Sequence, residues 1–181
     1  MNWNEAAQQL AQNKIGIIPT DTLYGIVGSA LNPEVVERVR NLKHRNSDKR
    51  CIVLISDIND LNSVGIELDE DTKSKLSQYW PGPVTVVLPC LDDNFTHLHR
   101  GAHEFGVRLP NKPALLELLK TVGPIIAPSA NPEGEPPALT TEQAEAYFGD
   151  QVDFYLDEGK LNNPPSKVIQ INPDGTITEF R

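Results

Sequence analysis

Short apolar runs, broken by proline, glycine and clustered polar side chains, set the rhythm of this chain. Ile15, Ile17 and Ile18 form a β-branched run that reads as a buried strand. Pro19 ends it, because proline has no N–H for a sheet ladder. Ahead of that run, Ala6, Leu10 and Ala11 give residues 4–12 one apolar side and predict a first helix. Asn32-Pro33-Glu34 reads as a helix start, with Asn as cap, Pro in the first turn and Glu at the positive end. Val35, Val36, Val39 and Leu42 then recur at helical spacing. Residues 51–55 are continuously apolar and fit a central strand. Asp57 opens a brief helix reaching Leu61. Asp69 opens a longer one with Leu68, Leu76, Tyr79 and Trp80 as core contacts, and Pro81-Gly82-Pro83 stops it.

The second half repeats the alternation. Residues 84–88 form a strand. Phe105, Val107 and Leu109 alternate, which predicts a strand over 105–109 with Arg108 on its opposite face. A helix over 114–120 precedes the strand-like run 124–128, which leads into Ser129-Ala130-Asn131, a polar loop. Thr140-x-x-Gln143 has the form of a capping box at the start of a helix to Phe148. Residues 154–156 form a short strand, 162–165 a rigid loop. The strands 168–171 and 176–180 flank a hairpin turn, Asn172-Pro173-Asp174-Gly175. Strands and helices alternate, with hairpin-like pairs mixed in and no repeat, linker or low-complexity segment. The fold class expected is α/β, a single domain over 1–181 built on a mixed sheet.

Composition narrows the picture. The 181 residues suit one domain, and 39% hydrophobic content sets the chain apart from disordered sequences. No apolar run is long enough to span a bilayer, and the first residues lack a signal-peptide pattern, so a cytoplasmic protein is expected. Cys51 and Cys90 each sit in or at the end of an apolar run and read as buried thiols. The net charge of −9 argues against broad nucleic-acid binding. Its distribution is uneven. Six basic residues (Arg38, Arg40, Lys43, Arg45, Lys49, Arg50) stand against one acid, Asp48, between positions 38 and 50. This fits a local anionic ligand, or equally a solvated helix end with cations near its C-terminus.

The chemistry concentrates after the first strand. Thr20, Asp21, Thr22 and Tyr24 put four oxygen-bearing side chains within five residues, and Gly25 lets the backbone bend or approach a ligand. Open α/β sheets place sites at such strand ends. A turn capped by its own hydroxyls accounts for the same residues. The familiar phosphate loops G-x-x-x-x-G-K-[ST] and G-x-G-x-x-G are absent, as is a G-x-S-x-G elbow. His97, His99 and Glu104 give H-x-H-x4-E, close to a metal motif of cupin barrels. The segment is poor in strand formers, and Leu91 replaces the usual leading glycine. A solvated loop is expected here, with His103 alongside, and no metal site.

Five pieces in order carry a resemblance: Pro19-Thr20-Asp21-Thr22-Leu23-Tyr24-Gly25; Lys43-His44-Arg45 with Lys49; Trp80-Pro81-Gly82-Pro83-Val84-Thr85; Val107-Arg108-Leu109-Pro110; and Ser129-Ala130-Asn131. Together they resemble the YrdC family, the threonylcarbamoyl-AMP synthases, from about Ile15 to Arg181, in the short form without a further domain. The resemblance implies a twisted α/β sheet around a basic concave cavity. The implied activity joins L-threonine, bicarbonate or carbon dioxide, and ATP into threonylcarbamoyl-adenylate with release of pyrophosphate. The product feeds N6-threonylcarbamoyladenosine in transfer RNA through downstream transfer proteins. Implied roles follow by position. Lys43 and Arg45 hold the triphosphate, with Lys49 assisting and Mg2+ arriving with ATP. Arg108 pairs with the threonine carboxylate. Thr20, Thr22 and Tyr24 line the threonine pocket. Ser129 and Asn131 lie near the carbamate and α-phosphate, and Ser166 and Arg181 contact the adenylate. Structural roles are open for three of these residues: a packed Tyr24 with a capped hydroxyl, a turn-capping Asn131, and a frayed terminal Arg181.

Two departures from the family pattern stand out. Glu133 occupies a position usually held by serine, and Pro165-Ser166-Lys167-Val168 stands for Pro-Ser-Thr-Val. Two alternatives remain beside the synthase: a carbamoyl transferase of the same fold, and a double-stranded RNA-binding module, since a concave basic face can hold an RNA duplex weakly.

Overall fold

The computed structural model describes residues 1–44, 51–172 and 176–180. Helix α1, Trp3–Ala11, begins with a full capping box in which Asn2 and Glu5 satisfy each other's backbone N–H groups. Strand β1, Gly16–Pro19, follows, and then β2, Tyr24–Ser29. Helix α2, Pro33–Leu42, starts as the sequence predicts: the Asn32 side chain accepts from the N–H groups of Glu34 and Val35. Strand β3 is Ile52–Leu54. Asp57 caps a 3-10 turn, Ile58–Val64, and Asp69 caps α3, Glu70–Leu76. Beyond them run β4, Val84–Pro89, the short α4, Thr96–His99, and β5, Glu104–Arg108. Next come α5, Pro113–Val122, and β6, Ile125–Ile126. Helix α6, Thr141–Phe148, and β7, Phe154–Tyr155, precede the final strands β8, Lys167–Ile171, and β9, Ile177–Glu179.

Among the described residues, nine strands join one mixed sheet in the order β7-β1-β2-β6-β3-β5-β4-β8-β9. The pairs β1/β7, β3/β5 and β4/β8 are parallel, and the others antiparallel. Alternation within the central strands explains their continuous apolar character. Ile17, Ile26 and Val53 enter one core with Val35, Val36 and Val39 of α2 and Phe148 of α6. Their neighbours Ile18, Val27 and Leu54 enter a second core with Ala6 and Leu10 of α1 and Leu115, Leu118 and Leu119 of α5. Successive strand residues point to opposite faces, so a sheet covered on both sides needs apolar residues at every position.

Two expectations are corrected. The sequence pattern places no strand between Pro19 and Asn32, yet the residues after Thr20 make only a tight turn, and Tyr24 already pairs with Pro19 in an antiparallel ladder. Strand β2 escaped the sequence pattern because Gly25 and Gly28 dilute its apolar signal. Gly28 has a packing reason: a Cβ there would sit 2.4 Å from Val35 Cγ1 and 3.0 Å from Ile15 Cγ2, so α2 can lie this close only over glycine. At α6, Thr140 accepts from the Gln143 N–H, but the Gln143 side chain turns to the Leu139 N–H and leaves the box open.

Candidate active site

The turn between β1 and β2 is organised by its own hydroxyls. Thr20 Oγ1 donates to Leu23 O at 2.7 Å and accepts from the Thr22 N–H at 3.1 Å. Thr20 has one proton to give, so the 3.1 Å contact between the two hydroxyls has Thr22 as donor. Thr22 Oγ1 in turn accepts from Arg108 Nη1 at 3.2 Å. A directed chain therefore runs from Arg108 through Thr22 and Thr20 to the Leu23 carbonyl. Both hydroxyls have spent their protons within the turn.

Arg108 closes β5 and is 3% exposed, not the open cation that strand alternation alone suggests. Asp21 explains this. Its Oδ1 accepts from Arg108 Nη1 at 2.5 Å, and its Oδ2 accepts from the Asn111 N–H at 3.1 Å. The side chains of the pair are 7% and 4% exposed for Asp21 and Arg108.

The Ser129–Asn131 loop reaches the same place through backbone pairing. The Ile26 N–H donates to Pro128 O and the Ala130 N–H to Tyr24 O, so the loop extends the sheet beside β2. Gly25 and Ser129 face each other across this bridge. Lys43 caps the C-terminus of α2, and its Nζ donates to Ser129 O and Asn131 O, both at 2.5 Å, and to Asn131 Oδ1 at 3.3 Å. The Lys43 carbonyl accepts from the Glu133 N–H at 2.8 Å. Lys43 thus clamps the loop with both its backbone and its side chain. Ser129 Oγ donates to Asn131 Oδ1 at 2.6 Å. The Asn131 amide donates to Pro132 O and Glu135 O, which is the turn-capping role.

These segments enclose a cavity of about 350 Å³. Its lining includes Thr20, Thr22, Tyr24, Lys43, Arg108, Ser129, Asn131 and Ser166 of the residues singled out by sequence. Arg45, Lys49 and Arg181 lie outside the described residues. Ser166 is 6% exposed, with its Oγ 3.0 Å from Thr85 Oγ1. Glu133 also faces the cavity, so the described lining carries two cations and one carboxylate. Lys167, the other departure, turns outward: its side chain is 66% exposed and lies 3.6 Å from Glu179. Ile52, Ala127, Gly134 and Pro137 complete parts of the wall, and being apolar or glycine they gave no chemical signal in the sequence.

Tyr24 is among the cavity-lining residues, and its hydroxyl is satisfied within the protein. It donates to Gly159 O at 2.8 Å, with Asp157 Oδ1 at 3.3 Å, and accepts from the Glu158 N–H at 3.1 Å. Burial, with the Asp157 carboxylate beside it, pushes the phenol pKa up despite the Glu158 N–H. The Gly159 N–H, then the Thr141 hydroxyl, hold the Asp157 carboxyl below the usual range. The hydroxyl anchors residues 157–159.

The histidine segment is not a solvated loop. His99 is 3% exposed in α4, and His97 Nε2 lies 2.9 Å from Ala30 O. Asp93, His99 and His103 bring ligand-type atoms within 4.8 Å of one another. His99 Nδ1 accepts from the Gly101 N–H, which leaves the ring proton on Nε2 and removes that lone pair from any metal.

An α/β sheet whose central strands pack on both faces, with a polar cavity walled by the first strand turn, the α2 cap and the Ser-Ala-Asn loop, defines a known class. The family profile described as Telomere recombination (Sua5, YciO and YrdC) matches residues 8–181, and the chain belongs to this family. The chain is 32% identical over 157 residues to "Threonylcarbamoyl-AMP synthase" of Bacillus subtilis, covering 86% of this chain and 45% of that protein. It is 31% identical over 170 residues to the protein of the same name from Marinobacter nauticus, covering 92% of this chain and 89% of that one. The crystal structure of P. abyssi Sua5 complexed with L-threonine superimposes with a TM-score of 0.88 at 28% identity, covering 99% of this chain and 53% of that one. This chain therefore spans about half of two of these relatives and most of the third. Among the described residues, no helix is long and apolar enough to cross a membrane.

Proposed function

We propose that this chain is a threonylcarbamoyl-AMP synthase. It condenses L-threonine, bicarbonate or carbon dioxide, and ATP into threonylcarbamoyl-adenylate and pyrophosphate, and hands the adenylate to proteins that modify transfer RNA in the cytoplasm. The observation that carries this reading is the convergence of three polar segments, distant in sequence, on one cavity. They are Thr20 and Thr22, Lys43, and Ser129 with Asn131, joined there by Arg108 and Ser166. The relatives' shared name and the threonine-bound Sua5 structure support it.

The chemistry asks for positioning and charge neutralisation. The threonine amine takes up carbon dioxide as a carbamate. A carbamate oxygen then attacks the α-phosphorus, and pyrophosphate leaves without help from a strong acid. Arg108 is the group for the amino-acid carboxylate. The hydroxyl of Thr22 directs its proton to Thr20 Oγ1, so it meets the ligand as an acceptor and suits an N–H or O–H of the amino acid. A recessed cavity shields the labile carbamate from water. Lys43 and Ser129 stand where the α-phosphate and carbamate meet in this reading, with Asn131 holding the loop, Arg45 and Lys49 toward the triphosphate, and Ser166 and Arg181 toward the adenylate.

Magnesium enters with ATP as part of the substrate. Among the described residues the lining carries one carboxylate, Glu133, which suits a cation held mainly by phosphate oxygens and water; when bound it would neutralise charge on the pyrophosphate.

The test is pyrophosphate release by the purified protein with ATP and magnesium. Threonine and bicarbonate together are expected to raise it well above the ATP-only background, and no rise from folded protein overturns the synthase reading.

A further inference from the structure

We infer that Asp21 sets which ligand the Arg108 subsite admits, favouring a zwitterionic amino acid over free phosphate. This rests on the reading that Arg108 meets the amino-acid carboxylate. The cavity in that reading also receives ATP and releases pyrophosphate, so phosphate groups are always within reach of the guanidinium. A bare buried cation attracts a doubly charged phosphate more strongly than a net-neutral amino acid, because the attraction scales with ligand charge.

Asp21 removes that bias. Its carboxylate lies 2.5 Å from Arg108 Nη1 and turns the cation into a locally neutral pair. Asp21 is absent from the cavity lining, so it stands behind Arg108 rather than beside the ligand. It is also held from other directions. The Asn111 N–H binds Oδ2 at 3.1 Å, and the Asn163 side chain donates to the Asp21 carbonyl at 3.2 Å. With 7% of its side chain exposed, it keeps its place when a ligand arrives. An incoming phosphate then meets the repulsion of a fixed carboxylate. An amino acid brings its own ammonium, for which Thr22 Oγ1 offers a lone pair. Asp21 is a positioning and selectivity residue, distinct from the groups that touch substrate.

The test measures L-threonine binding by calorimetry with and without inorganic phosphate, at ionic strength matched with chloride. Asp21→Asn keeps the shape and one of the two accepted hydrogen bonds while removing the charge, and Asp21→Ser is a second neutral variant. Asp21→Glu keeps the charge, and thermal melts establish that each variant is folded. Phosphate is expected to leave the threonine Kd of the parent protein and of Asp21→Glu unchanged. It is expected to weaken threonine binding to the neutral variants at least about fivefold, since phosphate then competes for an unneutralised guanidinium. A purely structural role for Asp21 gives no phosphate dependence. Neutral variants indifferent to phosphate, or a parent protein equally sensitive to it, overturn the inference. If the folded parent binds no threonine, the synthase reading is what fails. Direct titration of phosphate then decides on Asp21: tighter binding to the neutral variants supports it, and equal binding overturns it.

Discussion

Lys43 is 5% exposed, and three oxygens from the Ser129–Asn131 loop surround its ammonium. Replacing it removes a charge from the cavity and takes a donor from two partly buried carbonyls, of which Ser129 O keeps the Asn131 N–H. Lys43→Ala is expected to cost about 2 kcal/mol of stability, the scale of lost charge-assisted hydrogen bonds, and to lower threonine-dependent pyrophosphate release at least about tenfold. Denaturant melts and the pyrophosphate assay check the two halves. The sequence made Lys43 visible as a cation at a helix end, and Thr20, Thr22, Ser129 and Asn131 visible as polar residues just past apolar strands. It did not make their directions visible. The Tyr24 hydroxyl turns to residues 157–159, 133 to 135 positions away, and Asp21 finds Arg108 at a separation of 87. Neither partner is marked by any local pattern, because the sheet order brings them together.

Elements with a clean period were legible: α2 from its Asn-Pro-Glu start and valine spacing, β4 and β5 from their apolar residues, and the caps at Asp57 and Asp69. Strand β2 was not, since glycine is a poor strand former and two of its six residues are glycine. Gly28 carries the contact between β2 and α2. Gly28→Ala drives a methyl into Val35 and Ile15 and is expected to cost about 1–3 kcal/mol, the usual scale of core overpacking. A lower urea midpoint with an unchanged slope is the expected readout. An unshifted midpoint contradicts the packing argument. Gly25 differs, because a Cβ there meets its nearest neighbour, Pro128 O, at an ordinary 3.4 Å. It lines the cavity next to Thr20 and Ala127.

At the scale of the molecule, acid should act through the β7 side of the sheet. Burial alone would raise the Asp153 pKa, but Arg38 and the Ile15 N–H outweigh it and hold the carboxyl below its usual value. Glu158 behaves alike: burial opposes, and Lys112 with the Trp3 indole prevails. A folded pKa below the unfolded one gives stability that is present above the ordinary carboxylate value and lost as pH falls through the folded value. The urea midpoint is therefore expected to hold between roughly pH 5 and 7 and to drop below about pH 4. Asp153→Asn should lessen that drop, and an equally steep one would remove Asp153 from the cause.

The same edge bears on how the chain folds. The N–H of Ile15, just ahead of β1, is satisfied by Asp153, 138 residues later, and β1 takes β7 as its outer neighbour. Strand β2 finds its other neighbour in β6, and the cavity wall needs the backbone of Ser129 beside Gly25. During synthesis the first hairpin therefore leaves the ribosome with both flanks open, a template for mispairing until the last third of the chain arrives. Closing such distant pairings is slow compared with forming local helices. The cavity is a late product of folding, and ligand binding by this chain reports that its most distant segments have met.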